Sequence, residues 1–328
     1  MLTVNQLTLT HRKDLTVLVD SLSFTLNDGE RLALIGEEGN GKSTLLRVLA
    51  GDPSVESYIE VSGSFSCRDS AAYLPQELPE SERALSAYDF FCMSPVFFDQ
   101  SPRELGELAA RLSLPADVFY SDQLMQTFSG GERVKLQLAR LLMSNPTTLL
   151  LDEPTNDLDS DSVLWLENFL LSCKLTVLFV SHDEALLSRT ATSILLLERL
   201  RRRQVPRATL YRMGYDPFYA ERGAAFEKQT RIARKEREDF DAKMERYDAI
   251  RRKVERDQNA ISRQDPHGSR LLKKKMHTVQ AMGRRFEREQ ENMTAMPEQE
   301  EAIFAKLDCA PLPADKTVLD LSCAELSV

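Results

Sequence analysis

A glycine-rich loop at Gly36 to Thr44 (GEEGNGKST) fits the spacing G-x-x-x-x-G-K-[ST], whose chemistry is phosphate binding. Glycines let backbone N–H groups curl around phosphate oxygens, Lys42 reaches the β- and γ-phosphates, and the Ser43 hydroxyl can ligate Mg²⁺. About ninety positions later stands Ser129-Gly130-Gly131-Glu132, and about twenty beyond that the run Leu149-Leu150-Leu151-Asp152-Glu153. Phosphate hydrolysis needs a cradle, a metal, a positioned water and a base. Asp152 closes an apolar run, where a carboxylate could hold Mg²⁺, commonly through water, and Glu153 beside it could polarise the attacking water. An Asp-Glu pair alone would equally suit an ordinary polar strand end.

These residues need a scaffold. Leu32 to Gly36 reads as a buried strand feeding the loop, and Ser43 to Leu49 opens a helix whose positive N-terminus faces the phosphates. Thr148 to Leu151 and Leu175 to Val180 are further continuous apolar runs, each after a helical stretch. The pattern predicts an α/β fold with a parallel sheet covered on both faces. Phe90 to Leu114 reads as mostly helical, broken by Pro95, Pro102 and Pro115, which predicts a helical subdomain at about 85–145 inserted between strands.

With loop and tetrad together, the chain resembles the ATP-binding-cassette family. The resemblance implies a P-loop ATPase that uses ATP and Mg²⁺. It reads Gly36, Gly39, Asn40, Gly41, Lys42, Ser43 and Thr44 as the nucleotide loop, and Pro154 to Asp159 (PTNDLD) as the segment after the catalytic strand. On the same grounds Asp152 joins the nucleotide site, Glu153 becomes the catalytic base, and Gln76, in AYLPQE, senses Mg²⁺ and the γ-phosphate. His182, in VSHD, contacts that phosphate, and Ser43, Gln76 and Asp152 form the metal set. Ser129, Gly130 and Gly131 are expected to cap nucleotide bound by another cassette, so one cassette holds two half-sites. Three departures from the pattern stand out. Phe128 replaces the usual leucine, Glu37 and Glu38 add charge to the loop, and the adenine-stacking aromatic has no clear match, His11 lying nearest.

Composition narrows the class. No apolar run approaches the 18 residues or so of a membrane span. Five scattered cysteines without CxxC spacing predict free thiols in a reducing, cytoplasmic setting. The net charge of −9 is unevenly spread. Between Glu221 and Glu291 there are 20 Lys/Arg against 14 Asp/Glu, a balance of +6, so the remainder carries −15.

From about residue 213 the texture changes. Phe226, Ala233, Phe240, Met244, Tyr247, Val254 and Ile261 fall on a 4-3-4-3 seam interrupted by Arg237 and Arg251. Gln264 to Ser269 signals a turn, and Leu272, Met276, Val279, Phe286 and Met293 predict a return helix. The expected organisation is a cassette at 1–212, a basic helical hairpin at 213–300, and at 301–328 the start of a second cassette, where Thr317 to Leu321 echoes the N-terminus. That order resembles the ABC-F proteins, two cassettes joined by a helical linker that bind the ribosome, adjust translation or protect it from antibiotics. The resemblance implies rRNA and P-site tRNA as partners, with a second cassette or a homodimer completing the nucleotide site. Eight cations between 263 and 288, among them Arg270, Lys273, Lys274 and Lys275, face only Asp265 and Glu287, which suits RNA phosphates. A solvated coiled-coil face is the bland alternative. The competing classes are a membrane-transporter ATPase subunit, which leaves the hairpin unexplained, and an SMC-like ATPase, whose coiled coil would interrupt the cassette.

Overall fold

A computed structural model describes residues 1–67, 70–199, 205–260 and 266–291. The expected turn residues Gln264 and Asp265, the seam residue Ile261, Met293, Cys309, Cys323 and the 301–328 segment lie outside the described residues.

The sheet that carries the site has the order β5-β6-β7-β3-β8-β9, with β3 Arg31–Gly36, β5 Ala71–Leu74, β6 Thr148–Asp152, β7 Thr176–Val180, β8 Ser193–Arg199 and β9 Val205–Tyr211. Its first five strands are parallel, and β9 runs antiparallel to β8. Every residue of β6 and β7 is buried, as two covered faces require of a parallel sheet. Because side chains alternate across a strand, these runs feed two separate cores. Ala33, Ile35, Leu149, Leu151, Val177 and Phe179 join one core with the helical insertion. Leu32, Leu34, Leu150, Leu178 and Val180 join the other with α1 (Lys42–Ala50).

The second core is closed by a three-stranded antiparallel sheet, β2-β1-β4, from β1 Leu2–His11, β2 Val17–Leu26 and β4 Ile59–Cys67. The expected parallel sheet holds for the runs that predicted it, while the small sheet and β9 add antiparallel pairs. Between β5 and β6 lie α2 Glu80–Arg83, α3 Ala87–Cys92, α4 Pro102–Leu112 and α5 Gly130–Met143. Pro95 starts a single 3₁₀ turn, Pro95–Asp99, and Pro102 occupies the first turn of α4, whose N-cap Ser101 forms a capping box with Glu104. The prolines therefore divide the predicted helix and also start its pieces. Two helices, α6 Ser160–Ser172 and α7 Glu184–Thr190, link β6, β7 and β8.

Beyond the sheet, α8 (Tyr215–Ala260) and α9 (Pro266–Glu291) form a helical hairpin. At 1.5 Å per residue the 46 residues of α8 extend roughly 69 Å. Tyr247, Val254 and Val279 are buried between the helices, with Met244, Met276, Met282 and Phe286 packed against them. The Phe286 ring meets Tyr247 edge-on at 5.5 Å and Phe240 at 6.2 Å, so both rings serve the seam. Arg237 and Arg251 are exposed, which is how the seam tolerates them.

Candidate nucleotide site

Strands β5, β6, β7 and β3 lie side by side and end at one edge, and each continues into a segment that bears polar residues. β5 leads to Gln76, β6 ends in Asp152 and Glu153, β7 leads to Ser181 and His182, and β3 ends at Gly36. Ligands of open α/β sheets bind at this carboxyl edge. Register makes the alignment close: Asp152 pairs with Val180, which pairs on its other side with Leu34.

The loop after β3 owes its shape to its glycines. A Cβ on Gly36 would stand 2.3 Å from the Leu197 carbonyl oxygen, and Gly39 and Gly41 have φ of 78° and 87°. Gly41 caps α1, so the amides of that helix start at the cradle. Asn40 is buried and its Nδ2 donates to the Leu197 carbonyl at 3.0 Å, which ties the loop to β8. Lys42 is also buried. Its Nζ donates to the carbonyls of Gly36 at 2.6 Å and Glu37 at 3.0 Å. Burial lowers its pKa, against the opposing pull of Glu153, Glu38, Asp152 and Glu37. Ser43 and Thr44 follow in the first turn of α1, and Glu38 is exposed.

Asp152 is wholly buried, and two hydroxyls donate to it: Ser43 Oγ to Oδ1 at 3.0 Å and Tyr73 Oη to Oδ2 at 3.0 Å. Burial raises its pKa, and the two hydrogen bonds oppose that rise. Tyr73 itself is pushed up to about 12, chiefly by burial, so it stays a neutral donor. Arg47 Nε donates to its hydroxyl at 3.4 Å. The phenol was not singled out by sequence reasoning, although it lies on β5 only three residues before Gln76.

Glu153 has a positive φ of 46°, which costs a non-glycine residue about 1 kcal/mol or more. Its N–H donates to the Val180 carbonyl at 3.1 Å, which fixes the carboxylate at the mouth of the site. Gln76 Nε2 donates to its Oε2 at 3.1 Å, Asn156 Nδ2 to the same oxygen at 2.8 Å, and His182 Nε2 stands 3.6 Å from Oε1. Two expected residues, Gln76 and His182, thus meet on the carboxylate of a third, Glu153. Asn156 joins them from the segment that follows the strand. A polar cavity of about 320 Å³ shares Gln76 and Asn156 and extends to Arg83, Gln126 and Arg133.

Ser129 caps α5, its hydroxyl accepting from the Glu132 N–H at 3.3 Å while the Glu132 carboxylate accepts from the Ser129 N–H at 2.8 Å, and Gly130 beside it lines the same cavity as Gln76 and Asn156. Gly130 and Gly131 pack on the segment after β6. A Cβ there would stand 2.1 Å from the Asp157 carbonyl and 2.0 Å from the Ser162 hydroxyl. His11, nearest the expected adenine contact, has Nδ1 3.0 Å from Asp14 and its ring tilted against Tyr58 at 6.4 Å.

Mg²⁺ and a nucleoside triphosphate suit this donor set. A buried carboxylate bonded by neutral hydroxyls is an oxygen-rich site for a hard cation. A buried ammonium held by loop carbonyls is a cation without a carboxylate hydrogen-bonded to it, beside a cradle that side chains would fill. No group of three or more His, Cys, Asp or Glu side chains that could hold a metal ion occurs among the described residues.

On the hairpin, Arg270, Lys273, Lys274 and Lys275 are exposed along α9. No helix among the described residues is long and apolar enough to cross a membrane.

The family model described as "ABC transporter" matches residues 19–156. The ATP-binding protein Uup of Buchnera aphidicola is 32% identical over 184 residues, 56% of this chain and 30% of that protein. ATP-binding cassette sub-family F member 3 of Homo sapiens is 34% identical over 216 residues, 56% of this chain and 30% of that protein. Elongation factor 3 of Phytophthora infestans is 34% identical over 185 residues, 56% of this chain and 17% of that protein. The chain thus spans less than a third of the length of these relatives. Among solved structures, a chain from an inward-facing metal-chelate type ABC transporter superposes with a TM-score of 0.51 at 25% identity, covering 63% of this chain and 82% of that one. An ATP-binding subunit of an ABC transporter, at 20% identity and a TM-score of 0.52, shares the fold over 68% of this chain and 93% of its own. Domains of this family bind ATP with Mg²⁺ and hydrolyse it. The loop at Gly36–Thr44, the Asp152-Glu153 strand end, the Ser129-Gly130-Gly131 run and these relatives agree: residues 19–156 match an ABC transporter domain, and the chain is similar over 56% of its length to ABC-F proteins.

Proposed function

We propose that this chain binds Mg²⁺-ATP on its Gly36–Thr44 loop, hydrolyses it when a second cassette closes the site, and uses that cycle on the ribosome to adjust translation or protect it from antibiotics. The convergence of Gln76, Asn156 and His182 on Glu153 carries the catalytic half. In this reading Lys42 exchanges the Gly36 and Glu37 carbonyls for phosphate oxygens. Ser43, Asp152 and Gln76 hold Mg²⁺, in part through water. The metal, when bound, neutralises charge on the phosphate oxygens. Glu153 accepts the proton of the attacking water, while Gln76 and Asn156 keep its carboxylate aimed and His182 contacts the γ-phosphate. Ser129, Gly130 and Gly131 serve the nucleotide of the other cassette.

The ribosomal half rests on the hairpin. An acidic body with a roughly 69 Å helix and an exposed cationic face on α9 suits a polyanion reached at a distance. The alternative, a transporter subunit, leaves that arm unexplained. The test is sedimentation with ribosomes of the chain carrying Lys273→Glu, Lys274→Glu and Lys275→Glu. The reversal changes the local charge by six, which should abolish association at moderate salt while ATP affinity stays within about twofold. Unchanged co-sedimentation of the folded variant would refute RNA contact by this face.

A further inference from the structure

The helical insertion presents aromatic side chains that its own core does not use. Phe98 is 66% exposed and Tyr120 55%, with Tyr88 beside them at 39%. They form one surface around the buried ring of Phe97: Tyr88 lies 6.3 Å from it, Tyr120 6.2 Å and Phe98 5.7 Å, and Tyr88 stacks on Tyr120 at 6.4 Å. Contiguous exposed rings of this kind mark an interaction site.

The segments that carry the rings have charges of one sign, and the cations that flank Tyr88 and Phe98 in sequence, Arg83 and Arg103, are paired with Glu77 and Glu107. Residues 84–102 and 112–132 contain no Lys or Arg, but they contain Asp89, Asp99, Asp117, Asp122 and Glu132. Asp89, Asp99, Asp117 and Asp122 are exposed, and Asp99, Asp117 and Asp122 have no ion-pair partner among the described residues. A polyanion or an anionic lipid surface would be repelled here, and a second copy would bring carboxylates against carboxylates. A cationic chain with apolar stems would satisfy both features, because Arg and Lys lay aliphatic stems on rings and give their charge to flanking carboxylates. The same subdomain already contains that arrangement internally. Arg140 lies 3.8 Å over the Phe90 ring and pairs with Glu82 at 2.9 Å.

We infer that the Tyr88–Phe98–Tyr120 face docks a basic polypeptide segment, with Arg or Lys interleaved with aliphatic residues, on a partner protein. The hairpin and this face would then sort partners by charge, RNA to one and basic protein to the other. The inference does not depend on ATP hydrolysis or on ribosome binding by the hairpin.

The test is fluorescence anisotropy with the 328-residue chain and a labelled helical peptide carrying Arg and Leu at i, i+3 and i+4 spacing. The double variant Phe98→Ser/Tyr120→Ser leaves the charge unchanged, so it separates docking from general attraction to an acidic body. Loss of two ring contacts should weaken the peptide about tenfold or more. A second variant, Asp99→Lys/Asp122→Lys, should do the same and spares the rings should the first fold poorly. The same peptide with Glu for Arg should not bind, and a uridine oligonucleotide should bind both variants like the parent chain. Equal peptide affinity for the parent chain and both variants, or binding of the acidic peptide, would overturn the inference. So would a dimer in sedimentation velocity that Phe98→Ser/Tyr120→Ser dissolves, which would assign the face to a second copy.

Discussion

Replacing Tyr73 by Phe removes one hydroxyl and little else, and it bears directly on how Asp152 is held. The phenol donates to Asp152 Oδ2 at 3.0 Å, and the carboxylate is fully buried. A hydrogen bond to a charged group contributes about 1.5–3 kcal/mol, and the variant leaves Oδ2 without that donor. In a domain of about 200 residues, where 1 kcal/mol moves the midpoint by about 2–4 °C, the melting temperature should fall by about 3–12 °C. The pH dependence sharpens the test. Burial already raises the Asp152 pKa above 3.8, and loss of the Tyr73 donor raises it further. A carboxylate with a raised folded-state pKa stabilises the fold below the unfolded value and loses that contribution as pH rises through the folded one. The deficit of Tyr73→Phe should therefore be full at neutral pH and shrink as pH falls towards 3.8. Urea unfolding of both proteins at stepped pH measures it. Equal stabilities across the range, or a deficit that ignores pH, would refute the claim that Tyr73 supports an ionised Asp152.

Two further expectations concern the cap and the incomplete site. Gly130→Ala places a Cβ 2.1 Å from the Asp157 carbonyl oxygen, so the backbone must move. Urea unfolding should show a loss of roughly 1–3 kcal/mol, and an unchanged midpoint would contradict this packing. The 328-residue chain alone should hydrolyse ATP slowly, with a specific rate that rises with protein concentration as reciprocal pairs form. A robust rate independent of concentration would contradict the half-site reading.

Much of the site was legible because its residues sit in short local runs. Gly36 to Ser43 specify a left-handed backbone and a helix start within eight positions, and Asp152-Glu153 end a fully apolar strand. The partners of those residues were harder to read. Tyr73 meets Asp152 across 79 positions, through the pairing of β5 with β6, and no local pattern encodes that contact. Asn156 stood in the quoted PTNDLD run, yet its bond to Glu153 follows from the turn that the positive φ of Glu153 begins. Strand β4 (IEVSGSFSC) escaped notice for another reason: Ile59, Val61, Phe65 and Cys67 alternate with polar residues, but the Ser62-Gly63-Ser64 run at its centre reads as a turn. Prolines misled in the opposite direction, since Pro95 and Pro102 start elements as well as end them. On the hairpin, the seam spacing located Tyr247 and Val254 correctly because a helix pair repeats every seven residues.

The most direct measurement takes Glu153→Gln in a protein with two cassettes and records ATP binding and single-turnover hydrolysis together. Glutamine keeps the shape that Gln76, Asn156 and His182 surround but removes the base. The account predicts nucleotide affinity within about threefold of the parent, because binding rests on Lys42 and the loop amides, and hydrolysis slower by about 10²–10⁴. Hydrolysis at the parent rate would contradict it, and so would a loss of ATP binding in a folded variant.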